Sequence, residues 1–162
     1  IVGDELSKDI LFGINIEINQ TPLMLSDQFD IIINSEASAE MSGNYKLVVC
    51  LTENNITNWQ KDGDIDDDSY VHKHVLRSFL TPTFGEDLAN EEINNGDSFS
   101  NGFSPVISDL ENYNIDYSQN TLTLGNGNAG DWDLNNMYVL AYIYDESSNE
   151  ILQVEEKSIL NK

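Results

Sequence analysis

The chemistry-bearing side chains of this chain gather between Glu53 and Glu86, and both histidines fall inside the run Tyr70-Val71-His72-Lys73-His74-Val75-Leu76-Arg77. Along an extended strand, alternation places His72, His74, Leu76, Ser78 and Leu80 on one face and Val71, Lys73, Val75, Arg77 and Phe79 on the other. Two imidazoles at i and i+2 could hold zinc if an adjacent strand supplied a third ligand, for which Glu53 and Glu86 are the candidates. The competing arrangement is a structural cluster at a sheet end, in which the histidines, Arg77 and a carboxylate satisfy one another. The residue types favour the cluster, because buried polar side chains are as a rule hydrogen-bonded. Both faces of the strand are mixed, which predicts either a bulge near Arg77 or polar partners on a neighbouring segment.

A second candidate precedes this run. Asp62, Asp64, Asp66 and Asp68 recur at every second position between Lys61 and Ser69, a spacing similar to the opening of a calcium loop, where hard oxygen ligands converge on one cation. The match to the helix-loop-helix motif fails at two positions: Asp67 stands where the sharp turn needs glycine, and Lys73 where a bidentate glutamate belongs. A solvated acidic loop is therefore expected, with a non-standard calcium site as the alternative; no other cofactor is expected. Trp59, Trp132 and Tyr113 are the candidate platforms for stacking a ligand, and Trp59 is expected to tuck over the sheet edge. Nucleophilic catalysis has no support, since no serine or cysteine sits in a nucleophile elbow. Carboxylate pairs carry no information in a chain this acidic. The protein is expected not to be an enzyme. Cys50, the single cysteine, lies within Leu47-Val48-Val49-Cys50-Leu51, forms no internal disulfide, and is expected to be a buried, inert thiol.

The run Glu53…Gln60…Tyr70-Val71-His72-x-His74-Val75-Leu76-Arg77…Gly85-Glu86 resembles the signature of the twenty-eight-kilodalton outer-membrane-protein family of Bacteroidota. The resemblance extends upstream through Gly43 to Glu53 and downstream through Trp132, Val139 to Tyr144 and Glu150 to Gln153. It implies a cell-surface lipoprotein, or a module carried behind another domain, at the outer membrane or outside the cell. It also marks Glu53, Gln60, Tyr70, His72, His74, Arg77 and Glu86 as a structural signature cluster. It implies no catalytic site.

The remaining elements must position these residues. Ile14, Ile16 and Ile18 alternate with Asn15, Glu17 and Asn19 in a half-buried strand over 10–19. Gln28–Asn34 is β-branched and reads as a second strand. Asn44–Thr52 is the most apolar run, with Tyr45, Leu47, Val49 and Leu51 on one side and Val48 and Cys50 on the other, as a central strand covered on both faces requires. Met137–Tyr144 and Glu150–Ile159 read as an interior strand and a final strand joined by a hairpin. Leu23–Leu25 reads as a short extended segment, and 54–60 and 61–69 as loops. Residues 85–105 read as a long polar connection, 114–117 and 121–124 as short strands joined by a tight turn, and 125–131 as a flexible link. No run has a convincing helical period. The sum is an all-β chain, an immunoglobulin-like antiparallel β-sandwich of about seven or more strands. Residues 10–162 form one domain, and residues 1–9 a linker or processed remnant.

Composition narrows the partners. The 162 residues carry 29 acidic against 7 basic side chains, a formal charge of −22. Such a surface repels phosphate backbones and anionic headgroups, so neither nucleic acid nor a polybasic membrane contact is expected. No apolar run approaches the ~20 residues of a membrane span, and Ile1 opens the chain without a signal-peptide core. Two readings of function result. The first is a non-catalytic structural or protein-interaction module, with a protein partner on loops or an edge strand and no cleft of perturbed titratable groups. The second is a calcium-assisted glycan- or ligand-binding sandwich with exposed aromatic platforms.

Overall fold

Strand β3 (Met41–Glu53) is the axis of the fold in the computed structural model, which describes residues 9–20, 27–120 and 129–160, without the side chains of Asp62, Ile65, Asn90 and Glu91. The expected linker over residues 1–8, the segment Leu23–Leu25, the strand 121–124 and most of the 125–131 link lie outside the described residues. Tyr45, Leu47, Val49 and Leu51 are buried in the core, and Val48 and Cys50 are buried on the reverse face. The strand is thus covered on both sides, as its continuous apolar run requires.

The other described elements are β1 (Phe12–Gln20), β2 (Phe29–Ala37), β4 (Ile56–Asp62), β5 (Ile65–His72), β6 (Val75–Phe79), β7 (Glu86–Ile93), β8 (Ser98–Phe103), α1 (Ile107–Asn120), a 3-10 turn (Leu134–Asn136), β9 (Met137–Asp145) and β10 (Glu150–Ser158). One edge of β3 pairs with β9, and β10 continues beyond it. The other edge pairs with β7 along its first half and β6 along its second. The second sheet runs β1-β2-β8, and the described strand pairings are antiparallel. Phe12, Ile16 and Ile18 of β1 and Phe29, Ile31 and Ile33 of β2 face the β3–β9 layer in one core with Val139, Ala141 and Ile143. Each such side chain contributes about 1.5–3 kcal/mol when fully buried. Lys157 Nζ donates to Ile16 O at 2.7 Å, tying β10 to β1. The expected antiparallel sandwich is the observed architecture.

Three expectations are corrected. Residues 85–105 are not a polar connection but contain β7 and β8. Their Asp, Glu, Asn and Ser content hides strands that form because β3 and β2 offer free edges, a case of tertiary pairing overriding weak local propensity. Residues 54–60 and 61–69 are not two loops but lie largely in the hairpin β4–β5, whose strands pair with each other. Gly63, at φ 62, leads its two-residue turn, where glycine avoids strain. Finally, the expected strand 114–117 lies within a helix over 107–120. The covered positions Ile107, Leu110, Glu111, Asn114, Ile115 and Ser118 recur at three- and four-residue intervals. Its first turn is capped from afar: Ser108 N donates to Asp27 Oδ2 at 2.9 Å, 81 residues away in the chain. The Ser108 side chain, followed by its backbone N–H, holds the Asp27 carboxyl below its ordinary value of 3.8.

Candidate functional site

The signature run is not one strand. β5 ends at His72 and β6 begins at Val75. Between them His74 takes a left-handed conformation, φ 51, with its N–H donating to Asn54 Oδ1 at 2.7 Å. The expected shared face for the two imidazoles is thereby corrected: the chain passes from the β4–β5 hairpin into the five-stranded sheet at this kink. One step further Leu51 pairs with Ser78 but Thr52 with Leu76, so Arg77 is the extra residue of a bulge. A bulge re-aims the side chain it carries, and here it delivers Arg77 to the end of the core.

There Arg77 Nε donates to Glu53 Oε2 at 2.7 Å, with the two side chains only 7% and 4% exposed. The other carboxylate oxygen of Glu53 accepts Asp133 N at 3.0 Å. The guanidinium carbon lies 5.6 Å from the centre of the Trp132 ring, within cation–π reach. Trp132 is in turn fixed by its backbone N to Glu111 Oε1 and by its indole Nε1 to Ala129 O. Asn114 Nδ2 donates to Arg77 O. One buried ion pair therefore joins β3, the β6 bulge, α1 and the segment entering β9.

The remaining signature residues disperse. His74 Nδ1 lies 3.0 Å from Glu156 Oε1 on β10. His72 packs edge-on against Tyr70, ring centres 4.8 Å apart. Glu86 Oε1 accepts Asn101 Nδ2 at 2.8 Å, a bond from β7 to β8 and hence from one sheet to the other. Gln60 sits on β4 opposite Asp67. Neither candidate third ligand is positioned to serve the imidazoles, because Glu53 is engaged by Arg77 and Asp133 and Glu86 by Asn101. Gly85 crosses β3 so closely that a Cβ there would sit 2.6 Å from Leu47 O, and its φ of 77 also demands glycine.

The aspartates occupy the hairpin: Asp64 in its turn and Asp66 and Asp68 along β5, while the Asp62 side chain lies outside the description. The register shifts between Asn58 and Gln60, setting Asp68 and Ser69 against Trp59 and breaking the every-second alternation. Among the described residues no three His, Cys, Asp or Glu side chains gather to hold a metal ion. The Gly63-Asp64 step was the legible hairpin signal here.

Trp59 is not tucked over the edge, as expected, but 51% exposed. It lines a groove of about 460 Å³ between the hairpin and α1, with His72, Leu76, Asn114 and Tyr117 around it and Arg77 at its base. Tyr113 is exposed on α1, stacked with Tyr117, whereas Trp132 packs against the core.

A further surface was not legible in the sequence. On the face of the five-stranded sheet turned away from the core, Ile151 stands opposite Tyr144, Val154 opposite Tyr142, and Tyr142 opposite Val48. The turn Pro82–Gly85 leans over them, with Tyr144 Oη donating to Phe84 O at 2.8 Å. Phe84 is 81% exposed, Ile151 58% and Val154 51%. Cys50 lies beneath this face, and burial, then the charge of Glu156, pushes its thiol up to about 11.

Comparison with known proteins agrees with this architecture. The family model described as outer membrane protein Omp28 matches residues 5–162. HBP35 of Porphyromonas gingivalis superposes with a TM-score of 0.61 at 15% identity, over 93% of this chain and 41% of that one. A domain of the outer membrane lipoprotein Omp28 from Porphyromonas gingivalis superposes with a TM-score of 0.50 at 14% identity, over 92% and 88%. At these identities the structures show a shared fold, and the chain spans less than half of HBP35. No curated protein matches by sequence. The family match, which runs nearly end to end and includes the whole Glu53–Glu86 signature, shows that this chain belongs to the Omp28 family of outer-membrane, cell-surface proteins of Bacteroidota.

Proposed function

We propose that this protein is a non-catalytic cell-surface module, part of a larger lipoprotein or extracellular assembly, that engages a protein partner through the outer face of its five-stranded sheet. The observation that carries the reading is the cluster of Phe84, Ile151 and Val154 over Tyr142 and Tyr144. Contiguous exposed apolar groups of this kind mark interaction surfaces, and aromatic side chains are enriched at the centres of such contacts. Three features favour a non-catalytic role. The signature carboxylate and guanidinium neutralise each other in the interior, the imidazoles diverge to separate partners, and the one thiol is buried with its ionisation opposed.

The test is position-specific photo-crosslinking of the full-length protein in intact cells. A benzophenone side chain at position 151 is expected to give a discrete protein adduct. The same group at Glu17, exposed on the outer face of β1, is expected to give none. No adduct from position 151, or an identical adduct pattern from both positions, overturns the reading.

A further inference from the structure

We propose that the groove between the β4–β5 hairpin and α1 is a binding site for a neutral oligosaccharide, independent of the protein-binding face and of any cation. Among the described residues the groove shares no lining residue with the Phe84 face. Its volume of about 460 Å³ falls within the range of ligand sites.

Among the described residues no aspartate, glutamate or lysine lines the groove, and its arginine, Arg77, has its charge neutralised by Glu53 at 2.7 Å. A cationic ligand finds no counter-charge in this described lining. An anionic ligand meets a surface of formal charge −22. What fits is a neutral molecule.

Its shape and polarity follow from the side chains. Trp59 presents a half-exposed indole, flanked by Leu76 and Tyr117, a flat apolar surface suited to the C–H face of a pyranose ring. Around it, the His72 ring, Asn58 Nδ2, Tyr117 Oη and Ser118 Oγ make no hydrogen bond among the described residues. This contrasts with the signature cluster below, where Glu53, Arg77, Trp132 and Asn114 are all engaged. Hydroxyls both donate and accept, and an imidazole presents two ring nitrogens for hydrogen bonding. They match sugar hydroxyls, which do the same, better than the carbonyl-only acceptors of a proline-rich peptide, the other neutral polymer with flat apolar faces. The wall formed by α1 is fixed in advance by the Asn114–Arg77 bond, which limits the ordering cost of binding.

The test presents the full-length protein with soluble neutral glucans, mannans, xylans and galactans in affinity electrophoresis, with polygalacturonate and a polyproline peptide as further arms. The expected result is retardation by at least one neutral polysaccharide, weakened tenfold or more in Trp59→Ala at unchanged melting temperature. Tyr117→Phe and His72→Ala are expected to give smaller losses, and they carry the test if Trp59→Ala does not fold. Retardation by none of the neutral polymers, retardation that all three variants retain, or Trp59-dependent binding confined to polygalacturonate or polyproline overturns the proposal.

Discussion

Replacing Arg77 with methionine removes the cation of the buried pair while keeping most of the side chain's volume. Glu53, 4% exposed, then keeps the Asp133 N–H but no counter-charge from Arg77. Breaking a buried pair from one side costs about 3–5 kcal/mol, because the surviving charge has been taken out of water without compensation. In a domain of this size each kcal/mol lowers the melting temperature by about 2–4 °C, so Arg77→Met is expected to melt roughly 6–20 °C below the wild type. The double variant Glu53→Gln, Arg77→Met removes both charges and is expected to recover at least half of that loss, since a neutral polar pair site is far less costly than a lone carboxylate. Urea unfolding of the wild type, the two single variants and the double variant closes the thermodynamic cycle. A loss under about 1 kcal/mol for Arg77→Met, the range of an exposed pair, refutes the claim that this interaction holds the end of the core together. A double variant no more stable than Arg77→Met refutes the charge argument while leaving a packing role for the arginine.

Three further outcomes follow from local geometry. Gly85→Ala places a Cβ 2.6 Å from Leu47 O at a φ of 77, and thermal unfolding should show a loss of about 1–3 kcal/mol. Asp27→Ala removes the remote cap of α1 and should cost about 1 kcal/mol near neutral pH. Because the folded-state value of Asp27 is depressed, its contribution is complete above the ordinary 3.8 and is lost as pH falls through the lower folded value. The gap between wild type and variant should therefore stay constant above 3.8, narrow as pH falls from there, and be closed below the lower folded value. Cys50, with its thiol pushed up to about 11, should resist iodoacetamide at mildly alkaline pH in the folded protein and react within minutes in urea. Rapid labelling of the native state contradicts the burial of the thiol beneath that face.

How much of this was legible in the sequence depended on whether the forces involved were local. Strands β1, β2 and β9 declare themselves because one face of each is buried, β3 because its apolar run is buried on both faces, and β10 through the hairpin that joins it to β9. The mixed faces around Arg77 announced a bulge, and the bulge lies at Arg77. By contrast, β7 forms from Glu-Asp-Leu-Ala-Asn-Glu-Glu-Ile only because the first half of β3 lacks a partner on that edge. Helix α1 is hidden by residues of middling helical propensity, and its cap is supplied by Asp27 from the start of β2. The kink at His74 rests on a left-handed conformation that Asn54 supports from 20 residues away. The pairing of Arg77 with Glu53 rather than Glu86 is likewise a consequence of topology, because Glu86 is drawn to Asn101 on the opposite sheet. Phe84 and Ile151 carry no sequence mark of a shared surface, being brought together by the turn over β3.

Different residues hold the fold and meet the proposed partner, and one measurement addresses that separation directly. Carry the photo-crosslinking side chain at position 151 in the doubly neutralised Glu53→Gln, Arg77→Met protein, and compare its adduct in intact cells with that of the otherwise wild-type chain. The same adduct at comparable yield is predicted wherever the double variant is folded. A folded double variant that loses the adduct contradicts the account and places partner recognition in the Glu53–Arg77 cluster itself.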